Sequence, residues 1–224
     1  PTKLEEVVGQ QHIVGKDKLL YRAIKADKLT SVIFYGPPGT GKTTLAKVIA
    51  NTTSADFTQI NATVAGKKDM EEVVKQAQNA LGMYGRKTIL FIDEINCVSE
   101  TLAPAMLQFL QCKTFGSHKI PEGWLIVAAG NPPEYNKSVR EFDEVTMDRV
   151  KKIQVEPDFD AWREYAYAKG VHPAVISYLN TRPANFYKME STVDGKNFAT
   201  PRGWEDLSRL IRVYEKLEKT VDKD

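Results

Sequence analysis

The sequence has few cysteines, no long apolar run and no excess of either charge. Cys97 and Cys112 are its two cysteines, and neither lies in a C-x-x-C or Cys/His pattern, so neither a disulfide nor a zinc site is predicted. No apolar segment approaches the roughly 18 residues of a membrane helix, and no signal peptide is visible. We therefore expect no membrane span and, by default, a cytoplasmic protein. The chain opens with Pro1 rather than Met, so we expect a processed or trimmed chain.

The charge balance leaves the class of partner open. The 31 basic and 29 acidic residues give a formal net charge of +2, which neither requires nor excludes nucleic acid. The longest basic clusters, "GKK" and "VKK", are too short to form a basic arm. Composition therefore indicates an ordinary globular protein, whose function must be argued from its motifs.

Strand-like and helix-like segments alternate in the first two thirds of the chain, which predicts an α/β fold with a parallel sheet. The five predicted strands are residues 31–35, 57–62, 88–92, 124–130 and 151–155. After Pro157 every segment has the pattern of a helix. We predict a five-stranded α/β domain at residues 1–156 and a small helical domain, partial or complete, at residues 157–224.

Two connecting segments have specific predictions. A helix should begin with Asp69 as its cap and Glu72 three residues later, and Gly82 should end it. A second helix is predicted at residues 101–110. The segment "CKTFGSHKI" after it is typical of a small hairpin that turns at Gly116–Ser117.

A complete phosphate-binding motif follows the first strand. "GPPGTGKTT" matches G-x-x-x-x-G-K-[ST] and precedes a helix, so its backbone N–H groups and the helix dipole would face phosphate. The alternative is a Gly/Pro turn with a chance lysine. The predicted contacts to nucleotide are Gly36, Pro37, Pro38, Gly39, Thr40, Gly41, Lys42, Thr43 and Thr44, with Lys42 reaching the β- and γ-phosphates and the Thr43 hydroxyl holding Mg²⁺.

Two adjacent carboxylates end the third strand, in "ILFIDE". A residue at this position lies at the carboxyl edge of the sheet, where ligands bind in open α/β folds. Next to a phosphate loop, Asp93 would support Mg²⁺ as a Walker-B acid and Glu94 would polarise the attacking water. The alternative is a hydrated strand end with no catalytic role.

The two motifs together resemble those of the AAA+ ATPases. The resemblance implies a P-loop NTPase core with sheet order 5-1-4-3-2 and a C-terminal helical lid. It also implies ATP and Mg²⁺ as cofactors, ATP and ADP as the bound nucleotides, and a homo-oligomeric ring. In that family the fourth strand ends in a polar sensor, and Asn131 in "AAGNPPE" takes that place. Without the resemblance, Asn131 would be only a turn former.

Three arginines gain roles from the same resemblance. "EVTMDRV" resembles the segment with the arginine finger that acts on a neighbouring subunit, so Arg149 is the first choice and Arg140 the second. A surface ion pair is the alternative for both. "TPRGWEDL" resembles the second sensor. Arg202 would lie in the first turn of a helix, where a cation opposes the helix dipole unless it faces an anion, and a solvated arginine is the alternative.

The N-terminal stretch "LEEVVGQQHIVG" resembles the segment that packs on adenine in this family. Val7, Val8 and Gly9 would line the base, with Ile13 behind them. "NKSV" has Val139 where the guanine-reading motif of GTPases needs Asp, so we expect ATP and not GTP.

At the level of subfamilies the resemblance divides. Residues 4–92 are similar to the replication-associated recombination ATPase RarA and its clamp-loader-like relatives, and residues 96–224 are similar to bacterial MoxR-type ATPases. The hairpin before the fourth strand fits the MoxR side. We hypothesise a chimera joined at or just after Walker B; the alternative is one divergent natural lineage.

These observations predict an ATPase with three alternative functions. The main hypothesis is a MoxR-like module that hydrolyses ATP with Mg²⁺ to remodel a protein partner. The second is a RarA-like ATPase linked to DNA recombination or replication. The third is an engineered or recombined chimeric AAA+ domain without physiological activity.

Overall fold

The computed structural model describes residues 1–7, 9–26, 28, 31–85, 87–135, 139, 150–192 and 195–217. The chain divides into two compact units. The first unit comprises Pro1–Pro37 and Gly41–Val155, and the second comprises Pro38–Thr40 and Glu156–Asp224. Within the described part of the chain, no helix combines the length and the apolar character that crossing a membrane requires.

The first unit is built on a parallel sheet. Its strands are β1 (Val32–Tyr35), β2 (Asp56–Asn61), β3 (Thr88–Asp93), β4 (Thr114–Phe115), β5 (His118–Lys119), β6 (Leu125–Gly130) and β7 (Lys151–Gln154). Five of them form one sheet in the order β2-β3-β6-β1-β7, and every pair in it is parallel. Counted without the two short strands β4 and β5, this is the predicted order 5-1-4-3-2. The α/β class is confirmed.

Helices cover both faces of this sheet. They are α1 (Gln11–Val14), α2 (Leu19–Lys25), α3 (Lys42–Thr52), α4 (Lys67–Tyr84) and α5 (Ala103–Cys112), with short 3₁₀ turns at Leu4–Glu6 and Ile95–Cys97. Alternate residues of each central strand point to opposite faces. Phe34 and Phe91 therefore pack in a cluster with α3 and the N-terminal segment, while Ile33 and Ile92 pack in a second cluster with α4 and α5. Burial on both faces is the reason why these strands are almost continuously apolar.

The helix α4 has different ends from those predicted. It begins at Lys67, because the Asp69 carboxylate reaches back to accept the N–H of Gly66 at 2.7 Å, which makes Asp69 the third residue of the helix and not its cap. It continues through Gly82 and ends before Gly85, whose φ of 61° is the left-handed conformation that terminates helices. A glycine inside a helix costs only about 1 kcal/mol, so Gly82 does not stop it.

The predicted hairpin between α5 and β6 is present. Strands β4 and β5 pair antiparallel, with Phe115 opposite His118, and the turn between them contains Gly116 at φ 59°. The preceding helix is α5, which runs from Ala103 to Cys112 and so is shifted by two residues from the predicted span.

The second unit is not entirely helical. It contains α6 (Phe159–Lys169), α7 (Pro173–Thr181), a 3₁₀ turn at Pro183–Asn185, the strands β8 (Lys188–Thr192) and β9 (Gly195–Ala199), and α8 (Pro201–Lys216). Strands β8 and β9 form an antiparallel hairpin, so the prediction of helix throughout this region is wrong there. The sequence carries a typical hairpin dipeptide, Asp194–Gly195, at this place.

The second unit has its own small core. Trp162 and Phe186 lie with ring centroids 5.2 Å apart, and Leu179 is fully buried beside them. From α8, Trp204 and Ile211 pack against this cluster. Several apolar residues of α8 and its C-cap remain exposed: Leu207, Leu210, Val213, Tyr214 and Leu217. The Tyr187 hydroxyl donates to the carbonyl oxygen of Pro38, which belongs to the same unit, at 3.1 Å.

Candidate active site

Three neighbouring strands of the first unit end in polar segments. Strands β3, β6 and β1 are adjacent in the sheet, and they are parallel, so their carboxyl ends lie at one edge. Asp93 and Glu94 are at the end of β3, Asn131 follows β6, and the loop Gly36–Thr44 follows β1. The topology thus brings together three groups of residues that are up to about 90 positions apart in the chain.

The backbone of the loop after β1 depends on glycine at defined positions. A Cβ atom at Gly36 would lie 1.9 Å from the carbonyl oxygen of Val155, so no larger residue fits there. Gly39 and Gly41 have φ of 78° and 88°, in the left-handed region that other residues rarely adopt. Gly41 is also the N-cap of α3 and has no side chain that could occupy the free N–H groups of the first turn. These donors remain able to bind an anion.

Lys42 connects the loop to the end of β6. Its side chain is only 8% exposed, and its Nζ donates to the carbonyl oxygens of Gly36 and Pro37, both at 2.7 Å, and to Oδ1 of Asn131 at 2.9 Å. Burial lowers the pKa of Lys42 from 10.5 to about 8, although the charges of Asp93 and then Glu94 raise it. The ammonium therefore lies within the electric field of both carboxylates.

The backbone at the end of β3 holds the two carboxylates in different environments. Glu94 adopts φ 52°, ψ 40°, an unusual left-handed conformation for a non-glycine residue, and its N–H donates to Asp93 Oδ1 at 3.1 Å. The Glu94 carboxylate accepts a hydrogen bond from Nδ2 of Asn61, at the end of the neighbouring strand β2, at 3.2 Å. This turn directs the two adjacent side chains differently.

Two asparagines at this edge were not among the predicted site residues. Asn61 contacts Glu94, and Asn96 contacts the backbone of Asn131 through both atoms of its carboxamide. Each could have been noticed as a polar residue at the end of a strand or in the turn after it. Neither has a recognisable spacing to its partner, because the contacts exist only after the strands are paired.

The residues at this edge suit ATP and Mg²⁺. The hydroxyl of Thr43 and the carboxylate of Asp93 are hard oxygen ligands, which Mg²⁺ prefers, and both side chains are only half-buried. The glycine backbone and the uncapped helix start suit the phosphates, and Lys42 supplies the positive charge. Thr40 is half-buried and Thr44 is exposed at the start of α3.

The N-terminal residues predicted at adenine are only partly described. Val7 is buried and packs in the same apolar cluster as Ile13 and Val155. Gly9 is buried with φ of 78°, and Val8 lies outside the described residues. A hydrogen bond of 3.2 Å between Nε2 of His12 and the carbonyl oxygen of Gln154 joins this segment to the end of β7. The adenine contacts themselves stay a prediction.

The predicted arginines are not brought to this edge by any described contact. Arg149 and Arg140 lie outside the described residues. Arg202 is exposed in the first turn of α8, in the second unit, after Thr200, whose side chain caps the helix by accepting the N–H of Gly203 at 3.1 Å. Its location in a first turn is as predicted, and its contact with phosphate stays a prediction.

Comparisons with known proteins identify the family of the chain. The profile of the ATPase family associated with various cellular activities (AAA) matches residues 32–152, more than half of the chain. The chain is 46% and 42% identical, over 111 residues each, to the Replication-associated recombination protein A of Coxiella burnetii and of Bacillus subtilis. Those matches cover 50% of this chain and 24% and 25% of the relatives, so the chain spans about a quarter of their length.

A solved structure extends the likeness of the fold to nearly the whole chain. The Thermotoga maritima RuvB Holliday junction branch migration motor matches with a TM-score of 0.66 over 98% of this chain and 67% of that chain, at 21% identity. Such low identity shows the fold alone. The family profile spans the phosphate loop, the carboxylates of β3 and Asn131, and on this evidence the chain belongs to the AAA family of ATPases.

Proposed function

We propose that this chain binds ATP with Mg²⁺ and hydrolyses it, as the motor module of a RarA-like ATPase that is linked to DNA. The observation that carries the ATPase part is the position of Lys42, buried between the phosphate loop and Asn131 and within the field of Asp93 and Glu94. Burial disfavours the charged form of a lysine, so a lysine with only a structural role loses stability by being buried. In a lysine that binds phosphate, the same burial removes water from the ammonium where it meets its anionic ligand.

Each residue of the site has a defined part in this proposal. The loop Gly36–Thr44 binds the phosphates through its N–H groups, and Lys42 neutralises charge on the β- and γ-phosphates. Thr43 and Asp93 hold Mg²⁺, which supplies charge neutralisation at the phosphates when bound. Glu94 accepts the proton of the attacking water, because its carboxylate lies at the sheet edge and is oriented there by the hydrogen bond from Asn61.

The remaining predicted residues complete the site. Asn131 donates from its amide to the γ-phosphate or to the attacking water, and Arg202 senses the γ-phosphate. Arg149, or Arg140 in its place, acts on the ATP of a neighbouring subunit in a homo-oligomer. Val7, Val8 and Gly9 line the adenine. If the finger acts between subunits, turnover per subunit rises with protein concentration.

The link to DNA rests on the relatives. Replication-associated recombination protein A is 46% identical over half of the chain, and its name places it in replication and recombination. RuvB, which shares the fold, is a Holliday junction branch migration motor. These relatives favour the RarA-like alternative over the MoxR-like main hypothesis of the sequence analysis. They give no support to a MoxR-type segment or a chimeric junction, so we do not carry the chimera forward.

Phosphate release measured against protein concentration, with and without single- and double-stranded DNA, tests the proposal. We expect DNA to increase turnover at low salt and the increase to fall steeply as salt rises, because phosphate contacts release counterions. Lys42→Met serves as the inactive control. Negligible turnover at every concentration and with either DNA would contradict the ATPase proposal. Turnover that DNA does not change at low salt would contradict the link to DNA.

One observation keeps protein remodelling as a second candidate. The β4–β5 hairpin lies between α5 and β6, where the MoxR-type resemblance predicts an insertion. If DNA leaves turnover unchanged, the same assay with unfolded or aggregated protein clients tests this candidate. Stimulation by a client protein would support it, and stimulation by DNA alone would exclude it.

A further inference from the structure

Asn96 is a buried polar residue in the turn directly after the two carboxylates. It is only 1% exposed and lies in the 3₁₀ turn Ile95–Cys97, two residues after Glu94. Its Nδ2 donates to the carbonyl oxygen of Asn131 at 2.6 Å, and its Oδ1 accepts the N–H of Asn131 at 3.2 Å. One side chain therefore binds both backbone polar groups of a single residue on another strand end.

This pairing fixes the backbone of Asn131. The carboxamide of Asn96 has one donor and one acceptor side, and only one orientation satisfies both groups of Asn131. The glycine before it favours this close approach, since a Cβ atom at Gly130 would lie 3.3 Å from Asn96 Oδ1, a tighter contact than most Cβ atoms make. A residue bound at both its N–H and its C=O has little freedom to rotate about φ or ψ.

The fixed backbone has a consequence for the side chain of Asn131. Its Oδ1 accepts a hydrogen bond from Lys42 Nζ at 2.9 Å. Because the oxygen faces Lys42, the group of Asn131 that can face an anion or a water is its Nδ2 amide, which is a donor as phosphate oxygens require. Asn96, Asn131 and Lys42 thus form a chain of contacts across the ends of β3, β6 and β1.

We propose that Asn96 is a positioning residue for ATP hydrolysis, which holds Asn131 so that its oxygen binds Lys42 and its amide faces the γ-phosphate end of the nucleotide. The proposal rests on the proposed ATPase function and adds a residue to it. Asn96 does not touch the nucleotide itself. It couples the turn that bears Glu94 to the sensor position, so the water-activating carboxylate and the phosphate-sensing amide are held by one turn.

A purely structural role is the alternative, in which Asn96 only joins the ends of β3 and β6. Both roles predict some loss of stability when Asn96 is replaced, so stability cannot separate them. They differ in coupling: a positioning residue acts through Asn131, whereas a structural contribution is independent of the side chain of Asn131.

The test is a double-mutant cycle in the full chain with Asn96→Ala, Asn131→Ala and the combined variant. We expect each single variant to lower kcat about 10- to 100-fold, as for small displacements of catalytic groups, with a smaller change in KM. The combined variant should be no slower than Asn131→Ala. Multiplicative effects of the two substitutions would overturn the proposal, and so would an Asn96→Ala enzyme with unchanged kcat.

Two further variants separate positioning from loss of folding. Asn96→Leu keeps a side chain of similar shape but makes neither hydrogen bond, so it should lower kcat as Asn96→Ala does. It provides the test if the cavity left by alanine makes Asn96→Ala fold poorly. Val74→Ala removes two methyl groups from the apolar cluster on α4, away from the site, and controls for a general loss of stability. A Val74→Ala enzyme that loses kcat to the same extent would contradict positioning by Asn96.

A second measurement does not depend on turnover. The surroundings of Lys42 can be followed by NMR in protein with ¹³C-labelled lysine, with the Lys42 resonance assigned by its absence in Lys42→Arg. The Lys42 ammonium donates a hydrogen bond to the Asn131 oxygen, so Asn131→Ala should shift the Lys42 side-chain resonance, and Asn96→Ala should shift it in the same direction. An unchanged Lys42 resonance in Asn96→Ala, beside a shifted one in Asn131→Ala, would refute the proposal even if the chain has no ATPase activity.

Discussion

The burial of Lys42 makes a quantitative prediction about stability and pH. The Lys42→Met substitution keeps an unbranched side chain of similar length and removes the ammonium. In the folded chain the pKa of Lys42 is about 8 because of burial, whereas an unfolded chain would titrate near the ordinary 10.5. Comparison of the two proteins at two pH values isolates this group, because the change in packing is the same at both.

The sign follows from the number of bound protons. Between pH 8 and 10.5 the unfolded chain keeps the Lys42 proton that the folded chain has lost, so the unfolded state binds more protons and stability rises with pH. Below pH 8 both states are protonated, and the folded state bears the full cost of a buried ammonium. From pH 7 to 9.5 the wild type should gain about 2 kcal/mol in its free energy of unfolding relative to Lys42→Met.

The assay needs a signal from the first unit alone. Trp124 is buried in that unit, while Trp162 and Trp204 belong to the second. Urea denaturation followed by tryptophan fluorescence, in a background with Trp162→Phe and Trp204→Phe, reports the unfolding of the unit that contains Lys42. Lys68→Met, on an exposed face of α4, corrects for the loss of one lysine.

Parallel pH profiles of wild type and Lys42→Met would refute the reasoning. A relative change below about 0.5 kcal/mol between pH 7 and 9.5 would mean a Lys42 pKa near its ordinary value, because one pKa unit corresponds to about 1.4 kcal/mol. The ammonium would then be hydrated, and the argument that its burial serves phosphate binding would fail.

Two other predictions concern the site directly. Glu94→Gln should bind ATP with unchanged affinity and lose turnover about 10²- to 10⁴-fold, because the amide cannot accept the proton of water; fluorescent-nucleotide binding and phosphate release measure the two effects, and unchanged turnover would contradict the role of Glu94. Gly36→Ala should prevent folding of the loop against Val155, whereas Gly41→Ala, which has open space around it, should cost only about 1–2 kcal/mol from its left-handed backbone; equal melting temperatures of the two variants would contradict this difference.

The parts of the fold that the sequence predicted are those with local patterns. The three central strands are short apolar runs whose length distinguishes them from helices, and residues 36–43 form a complete eight-residue phosphate-binding motif. The carboxylates Asp93 and Glu94 could be placed at the sheet edge because the apolar part of a parallel strand ends at Ile92, immediately before them. Each of these inferences needs only neighbouring residues along the chain.

The failures have physical reasons of two kinds. Helix ends depend on which of several capping residues forms the better contact, and at α4 the reach of Asp69 to Gly66 and the positive φ of Gly85 decided both ends. The β8–β9 hairpin was missed because the neighbouring segments are helical and the local hairpin signal Asp194–Gly195 was given no weight against them. The choice between alternative helix caps, in contrast, depends on tertiary contacts, which a single sequence does not show.

The contacts of Asn61 and Asn96 could not have been predicted for a different reason. Asn61 meets Glu94 because β2 pairs with β3, and Asn96 meets Asn131 because β3 pairs with β6. In both cases the partners are more than 30 residues apart, and their distance is set by the strand order and register of the whole sheet. A motif describes what one strand end contributes, but the orientation of each catalytic side chain is determined by the strand end next to it.

The site is thus a set of neighbour relations along one edge of the sheet. In the order β2-β3-β6-β1, each strand end contacts the next: Asn61 binds Glu94, Asn96 binds Asn131, and Asn131 binds Lys42. A shift of any one strand by a single residue would reverse the direction of its side chains; it would break two of these contacts for β3 or β6 and one for β2 or β1. The register of the sheet core, which is fixed by its buried apolar residues, therefore also fixes the geometry of the catalytic groups, and substitutions in the core of β3 or β6 that alter the register should impair nucleotide hydrolysis before they unfold the protein.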